Sequence, residues 1–165
     1  MRLLERTAAL CGERQPATHG EPQLLVHKLL WGDESSFNAF TRAFAGGGAV
    51  DAVIGADVLC WPESVRPLLT TVRALLLRSQ ATDPPPAFYC GFVCRANSIR
   101  RVLEQEAASL GFELTSIASE AFLPSPPPEN VRSDRELEML KLVLTETSTD
   151  VKWISGDGVW SGSAC

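Results

Sequence analysis

No run of apolar residues in this chain approaches the ~20 needed to cross a bilayer, and Glu5 and Arg6 stand where a secretory leader would need its apolar stretch. The sequence therefore predicts a soluble cytoplasmic protein, with the nucleus as the alternative compartment and no membrane partner. Positive charge is scarce as well: 15 Lys and Arg against 20 Asp and Glu give a formal net charge of -5. No clustered basic surface emerges, so nucleic acid is not an expected partner. There are only two histidines, His19 in a polar connector and His27 in an apolar stretch, and no third ligand type gathers near them, so no metal site is expected. The five cysteines, Cys11, Cys60, Cys90, Cys94 and Cys165, are odd in number and lack a C-x-x-C pair. They are expected to be reduced thiols, mostly in the core. Nucleophile-elbow, Walker and dinucleotide-fingerprint motifs are missing too.

What remains suits one α/β domain: 165 residues, 45% of them hydrophobic. Leu3, Leu4, Ala8 and Cys11 recur at helical spacing before Gly12. Residues 23–30 read as a strand ending at Trp31-Gly32-Asp33, after which Ser35 or Ser36 is placed to cap a short helix carrying Phe37, Phe40 and Phe44 on one face. Gly46-Gly47-Gly48 follow a helix and precede a strand, the wrong polarity for a phosphate cradle, so they predict a turn. Ala52 to Ala56 is continuously apolar, as a central parallel strand covered on both faces would be.

Ser64 is placed to cap the next helix, with Pro67 in its first turn; Val65, Leu68, Leu69, Val72, Leu75 and Leu76 make its apolar stripe, and Arg66, Thr70, Arg73 and Arg78 lie off it. Ala87 to Cys94 predicts a second buried strand with Arg95 and Asn97 just beyond. Ile99, Val102, Leu103, Ala107 and Leu110 predict a helix stopped by Gly111, and Phe112 to Ile117 a further extended segment. After the proline-rich stretch from Leu123 to Asn130, Leu140 to Leu144 predicts a last strand at or near the sheet edge. The alternation implies a parallel sheet wound with helices on both faces. Thr145 to Cys165 forms a tail of uncertain structure anchored by Trp153 and Trp160.

Polar groups at the carboxyl ends of such strands are the first candidates for chemistry. Leu30-Trp31-Gly32-Asp33, then Gly55-Ala56-Asp57-Val58-Leu59, then Trp61-Pro62-Glu63 and a Leu-rich helix, resemble the seven-strand S-adenosylmethionine-dependent methyltransferases. More narrowly they resemble methyltransferase family sixteen, the protein-lysine methyltransferases and their relatives. The resemblance covers about Met1 to Leu144.

It implies a Rossmann-like methyltransferase fold, S-adenosylmethionine as cofactor and a protein lysine as substrate. Leu30 and Trp31 would line the adenine pocket, and Ala56 and Asp57 would lie beside the methionine end of the cofactor. Asp57 would orient the target amine or stabilise its developing positive charge. Cys60 stands where the family has Tyr or Phe at the amine channel, a position at which a thiol offers no cation–π contact; the neighbouring Trp61 is the nearest substitute.

No glycine-rich strand turn and no second acidic strand end precede these motifs, so the chain looks like the C-terminal portion of the domain, with the full-length form active and this portion inactive. The family sheet order is 3-2-1-4-5-7-6. Loss of its first two strands would leave 23–30 without a neighbour and expose an apolar edge at 51–59. A noncatalytic interaction module, derived from half the fold and binding a protein through that edge or the proline-rich loop, is the alternative function.

Overall fold

Three amphipathic segments and four short apolar ones build the described part of the molecule. The computed structural model describes residues 26–43, 50–79, 83–93, 97–126, 137–145 and 150–154. In chain order these form helix α1 (Glu34–Ala43), strand β1 (Ala52–Ala56), helix α2 (Pro62–Leu77), strand β2 (Ala87–Val93), helix α3 (Asn97–Ser109), strand β3 (Phe112–Ile117), a short 3₁₀ turn (Ser119–Ala121) and strand β4 (Leu137–Leu144). The helical reading of residues 3–12, the turn at 46–48, Cys94, Arg95 and Trp160 lie outside the described residues.

The four strands form one mixed sheet in the order β1-β2-β4-β3. β1 and β2 are parallel, with Val53 opposite Phe88 and Gly55 opposite Cys90. β4 runs antiparallel to both β2 and β3, pairing Leu142 with Phe88 on one side and with Leu114 on the other. The all-parallel sheet read from the sequence is thus corrected: the last strand inserts between two others instead of closing an edge. Leu140 and Leu142 are fully buried, which that interior position explains.

Side chains alternate across the sheet, as the pleat requires. Phe88, Cys90 and Phe92 of β2 face the helices together with Leu140 and Leu142, and all five are buried at 1% exposure or less. Onto them pack Val65, Leu68, Leu69, Val72 and Leu76 of α2 and Ile99, Leu103 and Ala107 of α3, making the main core. Helices α2 and α3 pack against each other on this one face. The other face is open at β1, where Ile54 is 80% exposed. Neither the covering on both faces nor the central position expected of β1 holds; it is an edge strand paired only with β2 among the described residues.

Residues 26–30 are irregular, not the strand predicted over 23–30, and Trp31 makes only an isolated bridge. An apolar pattern specifies a strand only where a neighbour takes up its backbone groups. Here Leu30 donates its N–H to the Ser36 hydroxyl instead. The helix cap also moves: the Asp33 carboxylate accepts the Ser36 N–H and the Asp33 carbonyl the Phe37 N–H, so Asp33, not Ser35 or Ser36, begins α1.

In α2 the start is Pro62, with Trp61 as a cap that makes no side-chain hydrogen bond. Proline is suited to that first position because its missing N–H would have had no helical partner. Ser64 lies inside the helix and donates to the Trp61 carbonyl at 2.7 Å. Pro67 consequently falls beyond the first turn. Gly111, at φ 72°, stops α3 as expected.

Of the tail, residues 150–154 pack on α1. Trp153 stacks at a tilt on Phe37, with ring centroids 5.0 Å apart, and Ile154 donates its N–H to the Gly32 carbonyl.

Candidate functional site

Four of the residues singled out in the sequence meet where β1 gives way to α2. The chain leaves β1 at Ala56 and turns through Asp57, whose φ of 52° is the only positive value on a non-glycine among the described residues. Aspartate is one of the few residue types that enter the left-handed region readily. The Asp57 N–H donates to the Gly91 carbonyl at 2.7 Å, which carries the β1–β2 ladder one residue past the strand and pins the turn. Leu59, 1% exposed, then plugs the loop into the core, while Trp61 stays 54% exposed at the helix start. Ala56 and Asp57 are exposed and Cys60 is half-buried.

The carboxylate acts on its surroundings. Cys90, opposite Gly55 in the sheet, has its thiol pushed up from 9.0 to about 12, first by burial and then by the negative charge of Asp57. Cys60 is disulfide-bonded, which corrects its reading as a reduced thiol. Its Sγ lies 3.5 Å from the Asp57 carbonyl oxygen, so the loop from Asp57 to Trp61 is held by the ladder bond, the Leu59 plug and a covalent link.

Leu30 and Trp31 form a second group, positioned differently. Both are half-buried, and Trp31 packs on the main core. The next residue, Gly32, has φ 78° and donates its N–H to the Thr71 hydroxyl at 2.8 Å, tying this segment to the middle of α2. A Cβ at Gly32 would crowd Ile154 Cδ1 at 3.0 Å and Pro67 Cβ at 3.2 Å, and the positive φ itself favours glycine.

For a nucleoside-bearing cofactor, Trp31 offers part of an indole face, and Ala56 and Asp57 offer a small side chain and a carboxylate at a strand end. A glycine-rich turn after a strand and a second acidic strand end are absent among the described residues. The described residues therefore fit only part of such a group. The described residues contain no set of three or more His, Cys, Asp or Glu placed to hold a metal ion, and no helix long and apolar enough to cross a membrane.

Sequence periodicity placed two buried polar residues of α2 off its apolar stripe. Arg73 is 5% exposed and donates through Nη1 to the Leu110 carbonyl at 2.6 Å; Thr70 is 1% exposed. A cleft of about 660 Å³ beside α1, lined by Asp33, Asn38, Arg42 and Trp153, and one of about 290 Å³ at Thr70 and Arg73 were equally invisible. Both form between segments distant in sequence, and neither includes Asp57 or Trp31. No protein-family model matches the chain, and no curated protein does.

Proposed function

We propose that this chain is the carboxyl-terminal sheet half of an S-adenosylmethionine-dependent methyltransferase-like domain whose acceptor is an amine, most concretely a protein lysine. One observation carries the proposal: the order β1-β2-β4-β3, with β4 antiparallel between its neighbours. It corresponds strand for strand to the 4-5-7-6 run of the family sheet, with Asp57 at the carboxyl end of the strand that would be the fourth.

The cofactor, when bound, supplies a methyl group on a sulfonium sulfur. The chain's own residues would align the acceptor. A carboxylate fixed at a strand end by its backbone bond to Gly91 accepts an N–H from a neutral amine and offsets the positive charge that grows on nitrogen. Trp61, exposed at the start of α2 four residues on, would offer an aromatic face to the same cation. Because the described residues fit only part of the cofactor, binding requires contacts beyond them.

Calorimetric titration of the chain with S-adenosylmethionine is expected to show no stoichiometric site of micromolar affinity. Joined to the glycine-turn half of a family member, it should bind and transfer label. In that chimera Asp57→Asn should lower turnover with cofactor affinity nearly intact, whereas Trp31→Ala should weaken the cofactor. Full turnover by Asp57→Asn, or unchanged affinity in Trp31→Ala, would refute the assignment.

A second reading, a noncatalytic interaction module, is favoured by the exposure of Ile54 on the β1 edge.

A further inference from the structure

Of the five cysteines in the sequence, Cys90 is free and fully buried within the sheet. Cys60 is disulfide-bonded and half-buried, in the connection that leads from the end of β1 to the start of α2. A sealed thiol offers no nucleophile to a bond nearer the surface, so Cys90 does not compete for this one.

The ends of the connection are fixed without the disulfide. The Asp57 N–H donates to the Gly91 carbonyl at one end, and the Trp61 carbonyl accepts from the Ser64 N–H and hydroxyl at the other. Leu59, 1% exposed, belongs to the core formed with side chains of β2, β4, α2 and α3. Sheet and helix thus stand on apolar contacts and backbone bonds, and the covalent link acts on the short stretch that carries Asp57 and Trp61. Cys60 Sγ lies 3.5 Å from the Asp57 carbonyl oxygen, so a displacement of this sulfur is felt at the turn directly. Exposure decides how such a bond behaves. Exchange needs a thiolate to reach sulfur, and accessible disulfides are the labile, regulatory ones. Beside Trp61, which is 54% exposed, Cys60 is within reach of a small thiol.

We propose that the Cys60 disulfide is a redox-operated clasp on the connection between β1 and α2, opened by a low-molecular-weight thiol and closed by the corresponding disulfide. In the opening step a thiolate of the reagent attacks one sulfur, the S–S bond breaks, and the other sulfur leaves as a thiolate and takes up a proton. A second molecule of thiol resolves the mixed disulfide. Two electrons and two protons pass to the protein, and two thiols leave as one disulfide. Closed, the clasp holds Asp57 and Trp61 in one arrangement; open, it releases them while the sheet stays folded. It would act on any ligand of this strand end, methyl acceptor or not.

The test equilibrates the 165-residue chain in buffers of reduced and oxidised glutathione, traps thiols by alkylation, maps them by peptide mass and measures amide exchange in each buffer. In the oxidising buffer Cys60 is expected in a linked peptide with one of the three cysteines other than Cys90. In the reducing buffer it should be alkylated, and a return to oxidising buffer should restore the link. Cys90 should stay unmodified in the folded chain throughout. The Asp57 N–H should exchange several-fold faster in the reduced chain, with the amides of β2 unchanged. Cys60→Ser should show the fast Asp57 exchange in both buffers. Alkylation of Cys60 in the oxidising buffer, a link that no reducing buffer opens, or Asp57 exchange indifferent to the bond would each overturn the proposal. So would loss of protection across β2 on reduction, which would make the bond a staple of the whole fold.

Discussion

Cys90 shows how one residue reports on the packing around it. Its side chain is fully buried between β1 and β4 on the helix side of the sheet, and burial together with the Asp57 charge lifts its thiol from 9.0 to about 12. A raised acid favours the protonated form in the folded chain. Its contribution to stability is therefore complete below the unfolded value and is lost as pH rises from 9.0 towards about 12. Denaturant midpoints of the native chain and of Cys90→Ala should thus converge as pH is raised through that window. At neutral pH the variant should be less stable by about 1 kcal/mol for the lost sulfur and the small void. Alkylation of folded chain at neutral pH should spare Cys90. Parallel pH profiles for the two proteins, or rapid modification, would show that the thiol is not sealed in the sheet.

Among the elements, α2 shows what the sequence discloses and what it withholds. Val65, Leu68, Leu69, Val72 and Leu76 meet the sheet as their spacing predicts, because a period near 3.6 is a property of the helix alone. Thr70 and Arg73 read as solvent-facing yet are buried; Arg73 reaches the Leu110 carbonyl at the end of α3, a contact no local window contains. The same limit explains the misread segment at 26–30 and the interior place of β4. Strand neighbours are chosen by the whole sheet, and an apolar run does not name them. Helix starts were legible only to within about three residues, the caps lying at Asp33 and Trp61 and not at Ser35 or Ser36 and Ser64, whereas the boundaries of β1 and β3 coincide with the apolar runs that predicted them. The Asp57 turn was legible as a strand end, but its positive φ and the linkage of Cys60 were not.

The correction to Arg73 changes an expectation at this scale. Arg73→Ala removes a buried donor and leaves the Leu110 carbonyl short of a partner, a loss of about 1–3 kcal/mol. Arg66→Ala breaks an ion pair whose arginine side chain is 46% exposed and should cost within roughly half a kcal/mol. Leu69→Asp should exceed both, since it puts a charge into the α2–sheet interface at a position with no solvent exposure. Urea denaturation of the three variants ranks them; an Arg73→Ala as mild as Arg66→Ala would mean that the α2–α3 side is solvated.

At the scale of the molecule, the sheet has two unlike margins. β3 ends one side with Glu113, Thr115 and Ser116, polar residues suited to water. β1 ends the other with Ala-Val-Ile-Gly-Ala, which holds no charge, no proline and no bulge to deter another strand. Its outer backbone groups lack a sheet neighbour among the described residues, and Ile54 stands 80% exposed beside them. An edge of this kind gains hydrogen bonds and buried apolar surface whenever a second strand arrives, whether from a protein partner or from another copy. In the isolated chain only other copies are present, so association should grow with concentration. Ile54→Lys places a charge on that edge without disturbing the core, because the side chain is already in solvent; its melting temperature should match the native chain at high dilution. Sedimentation velocity should then show the native chain shifting from 17.9 kDa to larger species across a dilution series, with Ile54→Lys remaining monomeric. A native chain that stays monomeric throughout would show that β1 is closed by other parts of the same molecule, and neither the methyltransferase half nor the interaction module would then have an edge to use.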